Sequence, residues 1–168
     1  QRIALNQPER IRRLILVGST PCFVSTQAWP HGISPIHFHN FAESVNRDYK
    51  ATMLQFLTLQ CMKANDARAT LRQLRASFEL KPTPTQTTLN RSLGILLDAD
   101  MREEIPSLRK PTLLIHGDRD TLAPVAAAHW MSQQLPIAFL RVMAGAAHAP
   151  FLSHPDQFVD TLNQFLEP

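Results

Sequence analysis

Three short apolar runs limit what this chain can fold into. Leu, Ile and Val crowd into Arg12–Ser19 (RRLILVGS) and Pro111–Asp118 (PTLLIHGD), and a weaker run spans Ile137–Gly145 (IAFLRVMAG). The first two show no alternation with polar residues, so each predicts a strand covered on both faces, as in a parallel sheet flanked by helices. Between the second and third runs, Pro124–Leu135 opens on proline and continues through alanines, which predicts a helix. From Pro155 onward, Phe158, Leu162, Phe165 and Leu166 recur at helical spacing and predict a closing amphipathic helix. Strand, helix, strand, helix is an α/β arrangement. Residues before Pro8 read as a helix ending at Asn6–Gln7. Three strands cannot by themselves form a parallel sheet buried on both faces. The expectation is therefore the second half of a larger sheet, with the first half upstream of Gln1; the alternative is a small, mostly helical domain around three strands.

Residues 24–104 have a different texture. They hold no strand candidate, carry Pro82 and Pro84 as breakers, and predict helices over about 38–47, 49–63, 65–79 and 85–98, an inserted helical unit between the first two strands. At 168 residues and 44% hydrophobic, the chain has the apolar content of about one globular domain. A net charge of +3 is too mild for a nucleic-acid binder unless the basic residues cluster. Two cysteines, Cys22 and Cys61, make no disulfide framework, and a reducing, cytoplasmic setting is expected. No apolar run approaches a membrane span, and QRIALNQPER lacks the signal-peptide pattern. No cofactor is expected.

The chemistry gathers at two strand ends. HGDRDTLAP sets Asp118 and Asp120 just past the carboxyl end of the second run, and GAAHAPFLSHP sets His148 in the same position after the third. Open α/β sheets hold their sites at that edge. A carboxylate and an imidazole on adjacent strands would come within hydrogen-bond reach, and the alanines at 146, 147 and 149 let the turn pack closely. An imidazole can take a proton from a hydroxyl and return it to a leaving group, while a buried carboxylate on its other nitrogen fixes the tautomer. Asp120 and His148 are the candidate catalytic pair. Asp118 is an alternative acid, and a histidine satisfied in the core is the alternative for His148. Neither Ser19 nor Ser153 has the flanking glycines of a nucleophile elbow, and no Gly-x-Ser-x-Gly occurs. The attacking serine is expected a few residues before Gln1. His154 before Pro155 reads as a helix-start residue. His37 and His39 in HFH have alternate spacing, but a metal site would need a third ligand, and none is in view.

With ALNQPERIRRLILVGSTPCF, FLTLQCM, DARATLRQL, LDADMREEIPSL, DTLAP and AAHAPFLSHP, the chain resembles the α/β-hydrolases. Within them it resembles the pimeloyl-[acyl-carrier protein] methyl ester carboxylesterases of biotin synthesis. The resemblance implies that 1–23 and 105–168 are the C-terminal half of a hydrolase core, and that 24–104 is a helical lid over an acyl pocket. It implies that Asp120 and His148 work with an upstream serine on the methyl ester of a pimeloyl chain carried by acyl carrier protein. Basic lid residues would dock that acidic carrier. Arg68 and Arg72 match the family's second basic pair, the first pair falls on Ala51 and Gln55 beside Lys50, and Phe56 matches an aromatic lining the substrate channel. The residues themselves agree with a docking face. Arg68, Arg72 and Arg75 form one helical stripe beside Leu71, Leu74 and Phe78, and residues 47–75 hold six Lys or Arg against two Asp. A plain solvated face is the alternative for the stripe, and a core position is the alternative for Phe56. The implied partners are acyl carrier protein and the upstream half of the same protein, with no nucleic acid, no membrane and a monomeric whole. These 168 residues alone would be inactive. Competing readings are another capped hydrolase, such as a general carboxylesterase, or a non-catalytic carrier-binding module. An epoxide hydrolase would want a pair of lid tyrosines, and only Tyr49 is present.

Overall fold

The computed structural model describes residues 1–65 and 67–167. The three apolar runs become β1 (Leu14–Val17), β2 (Thr112–Gly117) and β3 (Ala138–Met143), parallel and in the order β1-β2-β3. Leu14 stands opposite Thr112, and Thr112 opposite Ala138. Every residue of the central β2 is buried. In β3, exposed and half-buried residues mix, with Phe139 52% exposed. That explains why its run is the weakest of the three: of the β3 residues Met143 alone is buried, so most positions do not have to be apolar.

The two-residue period of a strand sorts the core into two halves. Leu14, Leu16 and Leu114 pack with Ala4 of α1 (Arg2–Asn6) and Met131 of α6 (Val125–Gln134). Ile15, Val17, Leu113 and Ile115 turn to the other face and meet Phe158, Leu162 and Phe165 of α8 (Pro155–Leu166). Helices thus cover both faces, as the uninterrupted apolar runs require. Each fully buried Leu or Ile contributes about 1.5–3 kcal/mol, and Leu113, Leu114 and Ile115 are all at or below 2% exposure.

Between β1 and β2 lie α2 (Pro35–Arg47), α3 (Tyr49–Cys61), α4 (Ala67–Glu79) and α5 (Gln86–Asp98). α2 begins three residues before the expected 38, because Ser34 caps it through the His37 amide and Pro35 supplies a prefixed first turn. Asp48 caps α3 through Ala51 N at 3.0 Å, and Thr85 caps α5 through Thr88 N at 3.2 Å. α3 stops at Cys61, short of the expected 63, because Met62 is extended and Lys63 takes a left-handed φ of 70°. The ends of the helical segment meet. Cys22 forms an antiparallel bridge with Asp100, and Met101 N donates to Pro21 O at 2.9 Å. A further turn of helix, α7 (Pro150–Ser153), follows the third strand. Among the described residues, no helix is long and apolar enough to cross a membrane.

Two glycines carry opposite consequences. A Cβ on Gly117 would lie 2.3 Å from Ala147 O and 2.4 Å from Ala146 O, whereas one on Gly94 in α5 meets nothing within 4 Å. Gly117→Ala is expected to cost at least about 1–3 kcal/mol through overpacking, and Gly94→Ala to gain about 0.4–1 kcal/mol by stiffening the unfolded chain. Urea unfolding midpoints should move in opposite directions. A Gly117→Ala midpoint that does not fall would contradict the close approach at Gly117.

Candidate active site

The glycine that ends β2 lets the following turn pass directly under the turn that follows β3. Arg119 N donates to Ala146 O at 3.0 Å, and Asp118 N to Met143 O at 3.2 Å. Asp118 Oδ1 accepts from Gly145 N at 2.7 Å, so this carboxylate serves the turn and stays exposed. Asp120 points inward instead, and its side chain is fully buried. Its Oδ1 accepts from Leu122 N at 2.9 Å and Ala123 N at 3.0 Å, while His148 Nδ1 donates to its Oδ2 at 2.7 Å. A buried carboxylate without such donors would cost several kcal/mol. The three bonds make the burial tolerable and hold the carboxylate in one orientation.

His148 is held from three sides. Its backbone N donates to Gln60 O in α3 at 3.2 Å, and its ring leans on Gly18, where a Cβ would lie 3.1 Å from Nδ1 and Cε1. Gly18 has φ +53°, so the end of β1 can turn sharply against the ring without a side chain. The ring is 27% exposed. With Nδ1–H given to Asp120, the lone pair resides on Nε2, the tautomer a general base needs.

Two further features had little or no sequence signature. His116 is 1% exposed inside β2, with Nε2 2.5 Å from Ala123 O and 3.5 Å from Asp120 Oδ2. A carbonyl only accepts, so Nε2 carries the proton. Burial pushes the His116 pKa below its ordinary value, although the bond to Ala123 and the Asp120 charge pull it upward. The one available clue was a titratable ring in an otherwise apolar strand. The second feature is a polar tie. The Arg119 guanidinium donates to Lys63 O and Asn65 Oδ1, both at 2.8 Å, and Asn65 N donates to Gly145 O at 3.0 Å. Gly145, at φ +82°, leaves room for the Asn65 amide where a Cβ would stand. This joins the turn after β2, the turn after β3 and the α3–α4 corner, and no local pattern announces a contact over more than fifty residues.

The other sequence candidates lie apart from the pair. Ser19 Oγ donates to Val17 O at 3.4 Å, and Ser153 Oγ sits 2.8 Å from His154 Nδ1. His37 and His39 are exposed on α2, His39 lies 3.2 Å from Glu43, and among the described residues no group of three His, Cys, Asp or Glu is arranged to hold a metal ion. Both cysteines are buried, and burial raises their thiol pKa values, which suppresses nucleophilicity. Phe56 is half-buried in α3 with its ring 5.1 Å from that of Phe41. Arg68, Arg72 and Arg75 are exposed on α4 and line a groove of about 400 Å³ with Leu71, Ala76 and Glu79. Arg75 reaches Thr58 Oγ1 at 3.4 Å. Among the described residues, Arg68 and Arg72 make no ion pair.

The profile of the alpha/beta hydrolase fold matches residues 1–155. The chain is 45% identical over 158 residues to a pimeloyl-[acyl-carrier protein] methyl ester esterase of Nitrosomonas europaea, covering 94% of this chain and 63% of that protein. It is 38% identical over 165 residues to an esterase of the same name from Aeromonas salmonicida, covering 98% of this chain and 65% of that protein. The chain therefore spans just under two thirds of the length of these relatives. Among solved structures, an esterase from Exiguobacterium antarcticum superimposes with a TM-score of 0.84 at 23% identity, over 98% of this chain and 60% of that one, which shows a shared fold.

The state of His116 has a measurable consequence. Its folded pKa is lowered from 6.5. The unfolded chain therefore takes up a proton near the ordinary value while the folded chain resists, so stability is full above about pH 6.5 and falls as pH drops through that value. The urea midpoint is expected to fall more steeply between about pH 7 and pH 5 in the native protein than in His116→Gln, with matching slopes above about pH 7. Parallel curves throughout would mean that His116 titrates normally.

Proposed function

Because the chain belongs to the α/β-hydrolase fold family, we propose that Asp120 and His148 are the acid and base of a carboxylic ester hydrolase. We propose further that its ester is the methyl cap of a pimeloyl group carried on acyl carrier protein. The observation that carries the reading is the 2.7 Å bond from His148 Nδ1 to the buried Asp120, across the ends of neighbouring parallel strands. The names of the relatives from Nitrosomonas europaea and Aeromonas salmonicida support the ester and its carrier.

In this mechanism a serine hydroxyl attacks the ester carbonyl while His148 Nε2 takes its proton. The imidazolium, stabilised by Asp120, then protonates the departing methoxide, and methanol leaves an acyl-enzyme. Water attacks next, His148 again acting as base, and the free pimeloyl carboxylate is released. Among the described residues no hydroxyl bonds to His148 Nε2. We assign the nucleophile and the oxyanion donors to protein outside these residues, so the 168 residues alone are expected not to turn over ester.

The helical segment 24–104 acts as the lid over the acyl pocket, a role supported by the Gln60 carbonyl that holds His148 and by the Arg119–Asn65 tie. Phe56 lines the acyl channel. Arg68 and Arg72 receive the acidic carrier, which their exposure on one face of α4 supports. Attraction of this kind mainly accelerates encounter and fades with salt.

Two measurements on the full-length protein test the reading. His148→Ala is expected to abolish ester turnover, by about 10⁴-fold or more in kcat as in other serine triads; retention of normal kcat would sink the acid–base assignment. Arg68→Glu with Arg72→Glu should lower kcat/KM for carrier-bound ester far more than for a small methyl ester, and the gap should close as salt is added. Equal losses on both substrates would make the stripe structural and leave a general ester hydrolase.

A further inference from the structure

A strand buried along its whole length has no need of an imidazole, and β2 could hold Val or Ile at position 116 as it holds Leu and Ile at 113–115. Among the described residues the His116 side chain makes one hydrogen bond, to Ala123 O, and its Nε2 lies 3.5 Å from Asp120 Oδ2. Ala123 is itself 1% exposed. Its carbonyl receives no backbone amide among the described residues, because the first turn of α6 is closed by Ala127 N on Pro124 O. Its amide is one of the two that hold Asp120 Oδ1. Ala123 is therefore gripped at both ends, by His116 through its oxygen and by Asp120 through its nitrogen.

We propose that His116 is a positioning residue for the Asp120–His148 pair: by holding the Ala123 carbonyl, it keeps the Leu122 and Ala123 amides on Oδ1 and so reserves Oδ2 for His148. This rests on the reading of Asp120 and His148 as acid and base. With Oδ1 fixed, the carboxylate cannot turn about its Cβ–Cγ bond. Release of Ala123 lets it rotate, lengthens the bond to Nδ1, and weakens both the hold on the His148 tautomer and the stabilisation of its imidazolium. A neutral donor suits the task, since a cation at position 116 would compete with His148 for Oδ2.

The test compares three substitutions in the full-length protein with a small methyl ester. His116→Phe keeps the ring volume and removes the donor; His116→Gln keeps a donor at the ε position; His116→Asn carries one too short to reach Ala123 O. His116→Phe is expected to lower kcat by about ten- to a hundredfold, the effect of a misplacement of roughly 1 Å or less. KM should stay within about twofold. The acid limb of kcat/KM should move to lower pH, because the imidazolium is less well stabilised. His116→Gln should recover most of the rate, and His116→Asn should behave like Phe. A lowered melting temperature with unchanged kcat and an unmoved acid limb would overturn the proposal. If the Phe variant fails to fold, equal kcat in the Asn and Gln variants overturns it just as well. Turnover surviving in His148→Ala removes the acid–base reading and this proposal together, whereas an inactive His148→Ala beside an unimpaired His116→Phe removes this proposal alone.

Discussion

A carboxylate without solvent access is costly to bury, and much of the site follows from how Asp120 is accommodated. Its two oxygens take three donors, two amides from its own loop and one imidazole from the neighbouring turn. The amides require a tight loop from 120 to 123. The imidazole requires that the turn after β3 come within hydrogen-bond reach, which Gly117 permits by letting the peptide oxygens of Ala146 and Ala147 sit where a side chain would be. The small residues around His148 then have a physical purpose: they bring two strand ends close enough to share one buried charge. A Cβ at Gly117 would press on the peptide oxygens of the turn that carries His148.

The sheet and its flanking helices were legible because burial on both faces leaves a direct trace, an unbroken apolar run, and amphipathic helices leave another. That Asp120 and His148 would meet was legible for a related reason, since position after a parallel strand is a topological property that can be read along the chain. The choice of Asp120 over Asp118 was less visible. Both follow β2 at nearly the same distance, and they differ only in which way the loop turns, with Asp118 spent on Gly145 N. His116 was passed over because its significance depends on a carbonyl seven residues later, at the end of a loop whose path is not a matter of periodicity. The Arg119–Asn65 tie is a tertiary contact between an exposed arginine and a helix-to-helix corner, two features that separately look like ordinary surface.

The helical segment is attached to the sheet in two physically different ways. At its base, the Cys22–Asp100 bridge and the Met101–Pro21 bond close it with backbone hydrogen bonds. Nearer the acid and base, the ties run through Gln60 O, Lys63 O and the Asn65 side chain. α5 differs from both: it has no buried residue, and Ile95 is 68% exposed. The segment is thus anchored firmly at its root and at the α3–α4 corner, and least along α5. Local opening free energies scale with burial of this kind, so α5 should be the part of the segment that opens most readily.

The pairing of β1 with β2 also governs how the molecule comes into being. These strands lie side by side but about a hundred positions apart along the chain, so their contact closes a very long loop and raises the entropic barrier to assembly. Asp120 and His148, by contrast, are only 28 residues apart. The low entropic cost of local contacts favours early formation of the β2–α6–β3 unit, which contains both Asp120 and His148, over the β1–β2 pairing. The Asp120–His148 pair is a local structure, and the helical segment is the long detour that must be gathered in around it.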